Sequence, residues 1–148
     1  MVFDEERGNE GRMKLGKRLV QRRAAAMRVE EIRERIRELR EAMTRITPRY
    51  DANGGGGSGG DRMMAYAARI DQLEKDLTRA SRRAYRISVE TLEAMRDLPQ
   101  DEYSVIVCRD FMAMSWRATA AEMDISIRQA MRIRDRALGC RKNRKEKY

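Results

Sequence analysis

Apolar residues between positions 29 and 46 recur in alternating steps of three and four: Val29, Ile32, Ile36, Leu39, Met43 and Ile46. That spacing puts one stripe along a helix. The positions between them are mostly Glu and Arg. Pairs such as Glu31 with Arg35 and Glu41 with Arg45 stand four apart in the favourable order, each worth about 0.2–0.5 kcal/mol on a wet surface. Pro48 lacks a backbone donor and biases Thr47 away from helical geometry, which predicts a helix end. The glycine-rich run from Asp51 to Asp61 predicts a loop over 51–61. A second stripe then runs through Met63, Tyr66, Ile70, Leu73, Leu77, Ala80, Ala84 and Ile87, with Asp61 placed to cap or charge-stabilise its start.

Two heptad helices joined by such a loop predict an antiparallel, coiled-coil-like hairpin over residues 12–97. An isolated pair buries little apolar area. A homodimer built as a four-helix bundle, or docking of the C-terminal module, would supply the rest. Residues 1–11 are acidic, contain glycine and lack periodicity, which predicts a flexible tail.

Beyond Leu98-Pro99 the pattern shortens into three helical segments, predicted as a helix-turn-helix module over 98–140. The first, from about Asp101 to Met112, is a supporting helix. Ser115 is positioned to cap a second, Trp116 to Met123, whose central alanines allow another helix to cross closely. Asp124-Ile125 forms a tight turn in which Asp tolerates the left-handed conformation, and Ser126 caps a third helix running towards Leu138. On this last helix Ala130, Ile133, Ala137 and Leu138 share one face, leaving Ile127, Arg128, Gln129 and Arg132 exposed near the N-terminal end. A recognition helix presents side chains to the major groove from that end. Arginine pairs with guanine and glutamine with adenine, so the residue types suit base-edge readout. Ser126, Arg134, Arg136, Arg141, Lys142, Arg144 and Lys145 are the candidates for phosphate contact, the last four in a basic tail over 141–148.

Charge strengthens this reading. The chain of 148 residues carries a formal net charge of +9, with 39% charged and only 5% aromatic residues. Seven basic and no acidic residues fall in 12–28, and nine basic against two acidic in 126–148. Two basic blocks flanking a near-neutral body form a local footprint for a polyanion. Histidine is absent and Cys108 and Cys140 stand far apart, so the sequence holds no metal-ligand spacing. Glu122 and Asp124, beside the turn, have no histidine and no ligand cluster near them; neither catalysis nor a cofactor is expected. The glycine run lacks the lysine that completes a phosphate-binding loop. No apolar run approaches a membrane span, and the acidic start Asp4, Glu5, Glu6 is unlike a signal peptide, so a cytoplasmic protein with reduced thiols is expected.

The stretch Leu98-Pro99, Phe111, Ser115-Trp116, Ala120, Ile125-Ser126, Ile133 and Ala137-Leu138 resembles region 4 of bacterial sigma factors, which reads the promoter −35 element. Thr47-Pro48-Arg49-Tyr50, the glycine run ending Gly59-Gly60-Asp61-Arg62-Met63, the heptad helix and this module together resemble small phage and prophage proteins of Gram-positive bacteria, similar to the ArpU/RinA late-gene transcription regulators. The resemblance covers roughly residues 29–140. It implies a phage-encoded regulator that binds double-stranded DNA in the bacterial host cell and touches host RNA polymerase, with Ile127, Arg128 and Arg132 where sigma factors contact bases. Thr119 and Asp124 depart from the pattern, which usually has a larger aliphatic residue and a turn glycine. Two other functions fit the same modules: a small terminase-like packaging component, and a sigma region 4 mimic that occupies polymerase without DNA. The basic stretch 12–28 lies beyond typical members. It reads either as a second nucleic-acid contact or as a charged helix end, and the second is the expectation adopted here.

Overall fold

The computed structural model describes residues 3–46 and 58–139, with the side chains of 3–11, Met13 and Ser58 left aside. All regular structure among these residues is helical: α1 (Phe3–Arg45), α2 (Ser58–Ala94), α3 (Gln100–Ile106) continuing as a π-helical turn (Val107–Phe111), α4 (Trp116–Met123) and α5 (Ile127–Ala137). The fold is thus all-α, with a long antiparallel α1–α2 pair and a C-terminal helix-turn-helix cluster. The described chain divides into two compact units. One is drawn from the segments up to Arg23 and from Ile87 onward, the other is Ala24–Arg86.

In the second unit the predicted stripes meet. Ile32, Ile36, Leu39 and Leu73 are buried, with Tyr66, Ile70, Leu77 and Ala80 packed against them. Val29 is also buried, while Met43 and Ile46, one turn further on, are only half-buried. Met63 is exposed, so the packed stripe of α2 begins at Tyr66. The outer faces carry ion pairs three or four residues apart, such as Arg33 with Glu30 at 2.7 Å and Lys75 with Asp71 at 3.2 Å. Arg40 reaches across the pair to Glu74 at 2.7 Å. Such exposed pairs add at most about 1 kcal/mol each, so the apolar seam does most of the holding.

Three boundaries differ from the sequence reading. α1 starts at Phe3, where a tail was expected. α2 starts at Ser58, so Gly59, Gly60 and Asp61 are helical, Asp61 serving as first-turn charge rather than cap. The rest of the expected loop and Pro48 lie outside the described residues. Most consequentially, the start of α1 belongs with the C-terminal helices and not with the hairpin alone. Leu15 and Leu19, four apart on one face, form a buried cluster with Met95, Ile106 and Ala137, flanked by Leu98, Tyr103, Val107, Phe111 and Leu138. A three-helix end of this size has only a small core of its own, and two leucines from α1 and Met95, in the turn just after α2, add to it.

Candidate nucleic-acid interface

Local chemistry shapes the helix-turn-helix. Ser115 caps α4, its Oγ accepting from the Ala118 amide at 3.1 Å. α4 ends at Asp124, which takes the left-handed conformation (φ 54°) while the Ile125 amide donates to the Ala120 carbonyl at 3.0 Å. Ser126 then starts α5 with a full capping box: its Oγ accepts from the Gln129 amide at 3.1 Å, and its own amide donates to Gln129 Oε1 at 2.9 Å. α5 stops where Gly139 adopts a positive φ and its amide donates to the Arg136 carbonyl. Ala120, Ala130 and Ala137 are buried, the small residues a close helix crossing requires.

The face of α5 opposite Ala130 and Ala137 is open. Ile127 and Met131 are exposed by 43% and 41%, and Arg128 and Arg132 are exposed beside them. Neither arginine forms an ion pair among the described residues. The structure therefore brings Ile127, Arg128 and Arg132 onto one accessible surface, together with Met131. Gln129 is exposed too, but its carboxamide oxygen is engaged in the capping box. Bidentate pairing with adenine needs that oxygen as acceptor, so reading a base through Gln129 competes with the helix cap. Ser126 is likewise engaged as a cap, although its hydroxyl proton remains to be donated.

Arg134 and Arg136, expected to meet phosphates, are held by carboxylates within the fold. Arg134 donates from Nε and Nη2 to the two carboxylate oxygens of Asp110, at 3.0 and 2.8 Å. Arg136 donates from Nε to Glu102 Oε1 at 2.8 Å and from Nη2 to Asp101 at 2.6 Å. Hydrogen bonding to Glu102, with the charges of Asp101 and Glu102, raises the Arg136 pKa above its ordinary value against the opposing effect of burial. Both arginines thus have carboxylate partners within the fold, Arg134 half-buried and Arg136 at the surface. Arg141, Lys142, Arg144 and Lys145 lie outside the described residues.

The basic start of α1 is divided in the same way. Arg12 donates to the Arg136 carbonyl at 2.8 Å and approaches Glu102 Oε2 at 3.9 Å. Arg22 donates to the carbonyl of Asp110 at 2.6 Å and lies 3.9 Å from the centre of the Phe111 ring. Burial pushes its pKa below the ordinary arginine value, partly offset by the charge of Asp110. The Arg22 contacts brace the π turn, where the Met112 amide donates to the Val107 carbonyl and Ala113 follows with φ 51°. Asp110 thus pairs with Arg134 through its side chain while its backbone is tied to α1.

One further candidate that sequence reasoning missed lies on α4. Arg117, in the first turn of α4, is exposed and without an ion pair among the described residues. Its place directly after a capped helix start could have flagged it, because that end carries free amides and a positive partial charge suited to a phosphate. Trp116 beside it is half-buried beneath the Arg109 guanidinium, 4.5 Å from the ring centre. It anchors the helix rather than offering a face for base stacking.

Among the described residues no group of three or more His, Cys, Asp or Glu side chains could hold a metal. No described helix is long and apolar enough to cross a membrane. Comparison of the chain with family models, curated proteins and solved structures finds no match. The class defined here is an all-helical protein with a helix-turn-helix joined to a long helical pair.

Proposed function

We propose that this protein is a sequence-specific regulator of transcription that binds duplex DNA through α5, of the kind its resemblance to ArpU/RinA-type phage proteins implies. One observation carries the reading. Arg134 and Arg136 on α5 are tied to internal carboxylates, whereas Arg128 and Arg132, in the N-terminal half, are left exposed and unpaired beside Ile127 and Met131. An unpaired arginine fork can pair with guanine O6 and N7, and an exposed isoleucine or methionine can contact a thymine methyl. Arg117 contributes a phosphate contact from the start of α4.

A homodimer reading two half-sites through the α1–α2 pair, and contact with host RNA polymerase inside the bacterial cell, complete the proposal. The test is selection from a random duplex library, followed by anisotropy titration of the selected and scrambled duplexes at physiological salt. The selected duplex should bind at least about 10³-fold tighter than the scrambled one, and Arg128→Ala/Arg132→Ala should erase that gap. Equal binding of all duplexes, or none, overturns base reading by α5.

A further inference from the structure

The basic start of α1 spans residues 12–28. Of its seven cations, Arg12 and Arg22 are engaged inside the C-terminal unit, and Arg28 pairs with Glu31 at 3.6 Å. Lys14, Lys17, Arg18 and Arg23 remain exposed, with no carboxylate within ion-pair distance among the described residues. Elsewhere on α1 the pattern is the reverse: Arg33, Arg35 and Arg37 each have a glutamate three residues away. Lys17, Arg18 and Arg23 have no acidic residue three or four positions away, so the ordinary device for neutralising a charged helix face is absent around them.

Lys14, Lys17 and Arg18 fall within about 100° of arc on the helix, turned away from the face of Leu15 and Leu19. Those two leucines are buried in the core that also holds Ala137 of α5. The stripe is therefore carried rigidly by the unit that carries the recognition helix. A fixed row of unpaired cations one turn apart suits a row of phosphates, whose condensed counterions are released when the charges meet.

We infer that Lys14, Lys17 and Arg18 form a second contact of this protein with the phosphate backbone of duplex DNA, flanking the segment read by α5. The inference rests on the DNA-binding proposal but makes a separate demand: this stripe adds affinity without sequence preference.

The experiment compares wild type with two charge-matched triple variants on long scrambled duplex DNA, following the observed binding constant from 50 to 200 mM salt. One is Lys14→Gln/Lys17→Gln/Arg18→Gln. The other is Arg69→Gln/Arg82→Gln/Arg83→Gln, which removes three exposed cations from the second unit. Circular dichroism confirms that both remain helical. The stripe variant should lower the slope of log K against log salt by about 2 to 3, so that affinity falls about 15- to 60-fold less across that range. The control should keep the wild-type slope. Equal losses in both variants reduce the effect to net charge and overturn the inference, as does an unchanged slope in the stripe variant. If wild type discriminates no sequence yet the stripe variant alone loses slope, base reading fails while the stripe contact stands. If wild type binds no duplex, both fail.

Discussion

Thr119 offers a sharp test of the packing between α4 and its neighbours. Its side chain is fully buried, with 0% relative exposure, and its Oγ1 finds no hydrogen-bond partner. A hydroxyl removed from water without compensation costs about 1–3 kcal/mol. Thr119→Val replaces it with a methyl group of similar size and keeps the β-branch, so helix propensity hardly changes. The site already accommodates that shape. The substitution should therefore stabilise the C-terminal unit by about 1–2 kcal/mol. With a urea dependence of about 2 kcal/mol per molar, the unfolding midpoint should rise by about 0.5–1 M. Trp116, the single tryptophan, lies three residues away on the same helix and reports unfolding of this unit by fluorescence. Thr119→Ser supplies the counterpart: it keeps the unpaired hydroxyl, removes the methyl and should lose about 1 kcal/mol. A valine variant less stable than wild type would show that the hydroxyl is satisfied in solution, and the reasoning would be refuted.

Leu19→Ala should destabilise the C-terminal unit by about 2–4 kcal/mol, the range for deleting a buried leucine. The Trp116 fluorescence midpoint in urea measures this, and an unshifted midpoint would detach α1 from that core. Asp110→Ala should cost about 1–3 kcal/mol, less than for a deeply buried pair because Arg134 retains partial access to water. Reversing the pair as Asp110→Arg/Arg134→Asp should recover part of the loss in thermal unfolding. A double variant that simply adds the two single losses would exclude a specific pairing.

Features closed within a few residues were legible in the sequence. The caps at Ser115 and Ser126, the left-handed turn at Asp124 and the stripe from Val29 to Leu39 each rest on hydrogen bonds or spacing internal to one segment. The exposure of Ile127, Arg128 and Arg132 followed equally, because Ala130 and Ala137 define the buried side of the same helix. Contacts made across long stretches of chain were decided by the tertiary structure. Arg134 meets Asp110 and Arg136 meets Glu102 at separations of 24 and 34 residues, and nothing local to α5 marks these arginines as different from Arg128 or Arg132. Leu15 and Leu19 stand among basic residues at the start of the expected hairpin, and only the C-terminal helices supply the surface that buries them. Sequence periodicity specifies which side of a helix prefers burial. Only the assembled fold specifies which partner buries that side, and hence which of several identical charges remains free to meet another molecule.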